Sequence, residues 1–73
     1  MYNLTLINLD TLVLSNLLNT SSKAMLIAKL VTYLTELGLT ESTVVISHKD
    51  GVYCLMFYHP TLNAFCVLKL SKI

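Results

Sequence analysis

The spacing of the apolar residues changes at Gly38, and this change constrains the fold more than any other feature of the chain. Before Gly38, apolar residues recur every three or four positions, as on one face of a helix. After Glu41, they alternate or run together in short β-branched and aromatic stretches, as in strands. A chain of 73 residues with both patterns is predicted to fold as a single small α+β domain over 1–73.

Residues 21–37 are predicted to form an amphipathic helix. Hydroxyl residues at 20–22 offer N-caps, and Gly38 suits the left-handed residue that ends a helix. Leu39 then fits the apolar position that follows in a Schellman motif. One wide apolar arc is expected to pack on a sheet, and it consists of Leu26, Ile27, Leu30, Val31, Tyr33, Leu34 and Leu37.

Three runs after the helix predict a three-stranded antiparallel meander over about 43–71. The first hairpin signal is the segment 48–51, interpreted as a three-residue loop with a bulge that ends at Gly51. Pro60 and Asn63 favour a second turn, where asparagine tolerates the left-handed region. The meander is expected to lie on the helix.

The N-terminal segment 2–18 leaves two alternatives. Tyr2, Leu4 and Leu6 alternate with polar residues like an edge strand, and Asp10 could then cap a short helix that ends near Leu18. A single helix over the segment fits almost equally well. An N-terminal strand, a short helix or both are therefore expected to complete the domain.

The meander is predicted to have two apolar faces, because side chains alternate along a strand. The face toward the helix would carry Val44, Ile46, Val52, Cys54, Met56, Tyr58, Ala64, Cys66, Leu68 and Leu70. The outer face would carry Thr43, Val45, Ser47, Tyr53, Leu55, Phe57, Phe65, Val67 and Lys69. A sheet with one wet side should show a polar outer face, so either the N-terminal segment or another protein is expected to cover it.

The outer face supplies the predicted partner-binding residues, which are Val45, Tyr53, Leu55, Phe57, Phe65, Val67 and Lys69. A small domain that is 55% hydrophobic cannot hide all of its apolar surface inside. The chain is therefore predicted to form a homodimer and to bind a host protein as a non-enzymatic interaction module, an inhibitor or an adaptor.

Neither a metal site nor catalysis is predicted. His48 and His59 flank the central strand of the meander at opposite ends, and Cys54 and Cys66 are interpreted as small core residues without metal-ligand spacing. No nucleophile with an orienting base and no glycine-rich phosphate loop occurs in the sequence, so no enzyme and no cofactor are predicted.

Nucleic-acid binding is the alternative function. Tyr53, Phe57 and Phe65 could stack single-stranded bases with support from Lys49, Lys69 and Lys72. The formal net charge is only +1 and arginine is absent, so the electrostatic attraction to phosphates is expected to be weak.

Membrane insertion and export are not expected either. The longest apolar stretch, 24–34, is shorter than a membrane span and is interrupted by Lys29, and the N-terminus lacks the features of a signal peptide. The predicted location is the cytoplasm, with reduced cysteines.

In overall style the chain resembles the small accessory proteins of phages and mobile elements. The features that carry the resemblance are its short length, its richness in Leu, Asn and Thr, and its lack of arginine and of a catalytic set. The resemblance implies a protein that blocks or redirects a host protein.

Overall fold

The computed structural model describes residues 1–72, in which one α-helix packs on a five-stranded antiparallel sheet. The α+β class is therefore confirmed, and the sheet has two strands more than the predicted meander. In chain order the elements are β1 (Tyr2–Asn8), β2 (Leu14–Thr20), α1 (Lys23–Glu36), a short 3-10 helix (Glu41–Thr43), β3 (Val45–Lys49), β4 (Val52–His59) and β5 (Ala64–Lys72). The order of strands across the sheet is β2-β1-β5-β4-β3.

The N-terminal segment forms the hairpin β1–β2, so the predicted short helix is wrong. Asn8 explains why: its side-chain oxygen accepts hydrogen bonds from the backbone N–H groups of Asp10 and Thr11 at 2.9 and 3.3 Å. Leu12 then adopts a φ of 59° and donates its N–H to the Asn8 carbonyl. This turn sends the chain back along β1 instead of starting a helix at Asp10.

α1 begins and ends where the sequence predicts, within two residues. The Ser22 side chain accepts the N–H of Met25, and Gly38 follows the helix with a φ of 73°. The N–H of Gly38 bonds the Thr35 carbonyl and that of Leu39 bonds the Leu34 carbonyl, both at 3.0 Å. These two bonds are the Schellman motif that the sequence predicts.

α1 returns the chain from one edge of the sheet to the other. Neighbouring strands are all antiparallel, so the edge strands β2 and β3 point the same way, and α1 must run back along them. A helix of 14 residues is about 21 Å long, close to the roughly 23 Å of a seven-residue strand. α1 lies closest to β1 and β2.

The central strand β4 faces the opposite way from the prediction. The β3–β4 turn has two residues, Asp50 and Gly51, with φ values of 54° and 79°, and Lys49 pairs with Val52. Two left-handed residues form the tight hairpin turn whose twist matches that of the strands. The predicted three-residue loop is therefore wrong, and the difference of one residue exchanges the two faces of β4.

The core lies between α1 and the sheet. Its buried members come from β1, α1, β4 and β5, and they are Leu4, Leu6, Leu26, Leu55, Phe57, Cys66, Leu68 and Leu70. The predicted inward positions of β5 are confirmed, because Ala64, Cys66, Leu68 and Leu70 are all buried. In β4 the inward residues are Leu55 and Phe57 instead of the predicted Val52, Cys54, Met56 and Tyr58.

Candidate interaction surface

The sheet face away from α1 carries one apolar row that crosses all five strands. Each member pairs directly with the next, in the order Leu14, Ile7, Val67, Met56 and Val45. Directly opposed residues of antiparallel strands point to the same face, so these five side chains form a continuous stripe. We call it the open-face row.

The open-face row is exposed to solvent, although all five of its side chains are apolar like those of a core. Leu14, Val45 and Met56 are 65%, 62% and 42% exposed, and Ile7 and Val67 are half-buried. No helix among residues 1–72 lies on this side, and the N-terminal segment extends the sheet sideways instead of covering it. Internal cover by that segment, one of the two predicted alternatives, is therefore wrong.

Two aromatic residues widen the row at one side. Tyr58 and Phe65 are cross-strand partners whose rings meet edge to face, with centroids 5.2 Å apart. Both are exposed, and the Tyr58 hydroxyl donates to the side-chain oxygen of Asn63, which holds the ring in place. The backbone N–H of Leu9, just after β1, donates to the Phe65 carbonyl at 3.0 Å. Leu9 therefore extends the apolar surface beside Phe65; we call these three residues the aromatic side of the row.

The other side of the open-face row is polar. The next row consists of Asn16, Thr5, Lys69, Cys54 and Ser47, again in direct cross-strand pairs. Asn3 beyond it donates to Asn19 and accepts from Thr5, so these polar groups bond one another. The open face is thus half apolar and half polar, and Lys69 is the one charged member of these two rows.

The predicted partner-binding residues are divided between the two faces of the sheet. Val45, Phe65, Val67 and Lys69 lie on the open face, as predicted. The predicted outward placement of Leu55 and Phe57 is wrong, since they are only 6% and 2% exposed in the core.

The predicted outward placement of Tyr53 is wrong as well, because Tyr53 pairs with the buried Leu70 and lies on the helix side of β4. Its ring is 46% exposed and stacks on His48 at 4.1 Å.

Sequence reasoning missed five residues of the open-face row and its aromatic side: Ile7, Leu9, Leu14, Met56 and Tyr58. The signal that could have found the last two is the dipeptide Asp50-Gly51, the strongest short hairpin signal when taken as a two-residue turn. Ile7 and Leu14 depend on pairing between β1 and β5, which are separated by most of the chain.

His59 anchors the far end of β4 under α1. It is 5% exposed; its Nδ1 accepts the N–H groups of Thr61 and Leu62, and its Nε2 lies 2.9 Å from the Tyr33 hydroxyl. Because Nδ1 is an acceptor, the neutral ring carries its proton on Nε2 and donates it to Tyr33. Burial lowers the pKa of His59 below its ordinary value.

The two cysteines occupy opposite faces and are both free thiols. Cys54 pairs with Lys69 on the open face, so its predicted place in the core is wrong. Cys66 is fully buried, and burial raises the pKa of its thiol, with a further contribution from Asp10. Within residues 1–72, no three His, Cys, Asp or Glu side chains come together as metal ligands would.

No helix in the described part of the chain has both the length and the apolar character to cross a membrane. No protein-family model matches the sequence, and the searches of curated proteins and of solved structures found no match either.

Proposed function

We propose that the chain is a non-enzymatic protein-interaction module that binds another protein through the open-face row and its aromatic side. The observation that carries the proposal is the continuity of the row, which crosses every strand without a charged or bonded polar side chain. An apolar patch rimmed by polar residues is typical of a protein interface.

The size of the patch supports a stable contact. Its exposed members are Leu9, Leu14, Val45, Met56, Tyr58 and Phe65, with the half-buried Ile7 and Val67 between them. Such side chains leave roughly 100 Å² each in water, so the patch amounts to several hundred Å², approaching the roughly 800 Å² per partner of a standard interface.

A second copy of the chain is the first partner we assign to this face. A two-fold axis along the row would stack the row on itself, with the strands of the two sheets aligned. Lys69 and Phe65 lie two positions on either side of Val67, so the same axis brings Lys69 over Phe65 of the partner subunit, a cation–π contact. An axis along the strands would instead bring the two Lys69 ammonium groups together.

A target protein with a matching apolar surface would compete with the second copy for the same face. This competition is how we propose that the chain acts as an inhibitor or adaptor, the role that its resemblance to phage accessory proteins implies. The nucleic-acid alternative loses support, because Tyr53 and Phe57 lie on the helix side and only Phe65 of the three aromatic residues shares a face with Lys69.

Sedimentation equilibrium at low micromolar concentration tests the proposal with a matched pair of variants. We expect the wild type to sediment at twice 8.2 kDa. Val45→Asp places a charge in the open-face row and should give a folded monomer. Ser47→Asp places the same charge two residues away on the same strand and face, in the polar row, and should remain a dimer.

Two results would contradict the proposal: a wild type that sediments at 8.2 kDa, or two variants that dissociate equally. Circular dichroism melts of both variants provide the check on folding, since Val45 and Ser47 are exposed and neither change should alter the monomer's core.

A further inference from the structure

An apolar groove lies on the helix side of the sheet, between α1 and the edge strand β3. It consists of two adjoining depressions of about 260 and 290 Å³ that share Lys23, Ile27, Tyr53 and Leu70. Leu30, Ile46 and Leu55 complete the larger depression. We call this the helix-edge groove; it is separated from the open-face row by the sheet itself.

The groove exists because one helix is too narrow for the sheet. Five strands spaced about 4.8 Å apart are roughly 19 Å wide, whereas a helix with its side chains is about 10 Å across. α1 lies closest to β1 and β2, and it covers Leu55 and Phe57 of β4 but leaves Tyr53 of β4 and Ile46 of β3 exposed on the same side. The walls of the groove are therefore exposed to solvent: Ile27, Ile46 and Tyr53 are 44%, 61% and 46% exposed.

Positive charge is concentrated at one end of the groove. The smaller depression is lined by Lys23 from the start of α1 and by Lys72 from the end of β5. The Lys72 ammonium lies 5.9 Å from the centre of the Tyr2 ring, a second lining residue. No acidic residue lines either depression in the described part of the chain.

We infer that the helix-edge groove binds a linear anionic amphiphile, a molecule with one aliphatic chain and a carboxylate head. The chain would lie against Ile27, Leu30 and Ile46, and the carboxylate would pair with the ammonium groups of Lys23 and Lys72. The two adjoining depressions, of about 260 and 290 Å³, offer room for an aliphatic chain of medium length beside its head group.

A peptide fits this groove less well. The larger depression is lined by aliphatic side chains, one aromatic ring and one lysine, so a peptide backbone inside it would find few side-chain hydrogen-bond partners, and the free backbone groups of β3 lie at the edge of the sheet. An aliphatic chain has no polar groups to satisfy, and its single charge meets the cationic end.

The test uses decanoate below its micelle concentration as the probe, with decanol and decyltrimethylammonium as neutral and cationic matches. We expect saturable one-to-one binding of decanoate in titrations followed by NMR. The methyl resonances of Ile27 and Ile46 should shift, and those of Val45 and Val67 should not. The cationic probe should bind at least about tenfold more weakly, because two ammonium groups surround the head.

Three variants locate the site. Ile46→Asp places a charge in the groove wall and should abolish decanoate binding. Val45→Asp changes the neighbouring residue of β3, which is equally exposed at 62% on the other face, and should bind decanoate like the wild type. The double variant Lys23→Gln, Lys72→Gln should weaken the binding of decanoate about tenfold and leave the binding of decanol unchanged.

Each contrary result overturns a definite part of the inference. Decanoate binding that survives Ile46→Asp but is lost in Val45→Asp would move the ligand to the open face. Equal affinity for all three probes would show that the groove does not recognise an anionic head group. Absence of saturable binding would show that the groove is not a binding site. Because dimerisation depends on Val45 and the groove on Ile46, failure of either proposal is recognised separately.

Discussion

Two neighbouring rows of the sheet have nearly the same chemistry and opposite environments. Leu6, Leu68 and Leu55 pair across β1, β5 and β4 and are buried under α1. One residue along each strand, the open-face row places Ile7, Val67 and Met56 in the same pairing without any cover. An apolar row therefore does not by itself become a core; it becomes one where another element lies over it.

This difference shows which part of the apolar burial free energy the monomer does not gain by folding. Burial of each methylene contributes about 0.8 kcal/mol, and the helix side gains this free energy within the monomer. On the open face the same gain is available only on contact with another molecule. The comparison predicts that mutations will separate into those that destabilise the fold and those that change association.

The largest expected effect comes from Phe57. Phe57→Ala removes a ring that is 2% exposed and leaves a cavity, which should cost about 3–5 kcal/mol of unfolding free energy. A domain of this size has a total margin of about 5 kcal/mol, so the variant should be largely unfolded or close to it. Urea unfolding followed by circular dichroism measures the loss.

Phe65→Ala is the matched control, because it removes the same ring from a neighbouring position of the open face that is 55% exposed. We expect it to change monomer stability by less than about 1 kcal/mol and to weaken self-association. Equal destabilisation by the two variants would contradict the assignment of faces.

A smaller effect, with a pH dependence, is expected at His59. Burial lowers the pKa of this imidazole in the folded protein, whereas in the unfolded chain the pKa stays near 6.5. Below that pH the unfolded chain binds a proton that the folded protein resists. The unfolding free energy should therefore be greatest above pH 6.5 and fall as the pH decreases toward the folded pKa.

His59→Asn sharpens this prediction, because the asparagine oxygen can still accept the N–H groups of Thr61 and Leu62 while the titrating ring is gone. We expect a lower stability and a flatter pH dependence between pH values of about 5 and 7. His48→Gln leaves His59 and its bonds in place and should keep the wild-type slope. An unchanged slope in His59→Asn would disprove the assignment.

The fold class and the helix could be predicted because their signals are local. Ser22 acts at the start of α1 and Gly38 and Leu39 at its end, each within one turn of the helix, and the change of period near Gly38 separates helix from sheet. The side chains of β5 were also assigned correctly. The face of β4, by contrast, depends on the turns at both of its ends, and the prediction is wrong by one residue at each, which places Leu55 and Phe57 on the wrong side and leaves β5 correct.

The hairpin β1–β2 was harder for a different reason. Its turn depends on the Asn8 side chain and on a leucine with positive φ, Leu12, which no sequence pattern favours. The edge strand β2 also carries a bulge at Leu17, so that Leu17 and Leu18 both pack on the core. Two consecutive inward leucines break the alternation by which a strand is predicted.

The smallest expected effect concerns the Asp50-Gly51 turn between β3 and β4. Gly51 has a φ of 79° and open space around the position of a Cβ, so Gly51→Ala should cost only its backbone strain, about 1 kcal/mol. For a domain this small, that lowers the melting temperature by about 4–8 °C. Asp50→Asn should act in the opposite direction by a smaller amount, because Asn-Gly is the preferred pair for two left-handed residues. Thermal melts measure both shifts, and NMR contacts between Lys49 and Val52 report whether the register is retained. A register that changes in Gly51→Ala would show that the turn, and not the burial of Leu55 and Phe57, holds β4 in place; we expect burial to hold it.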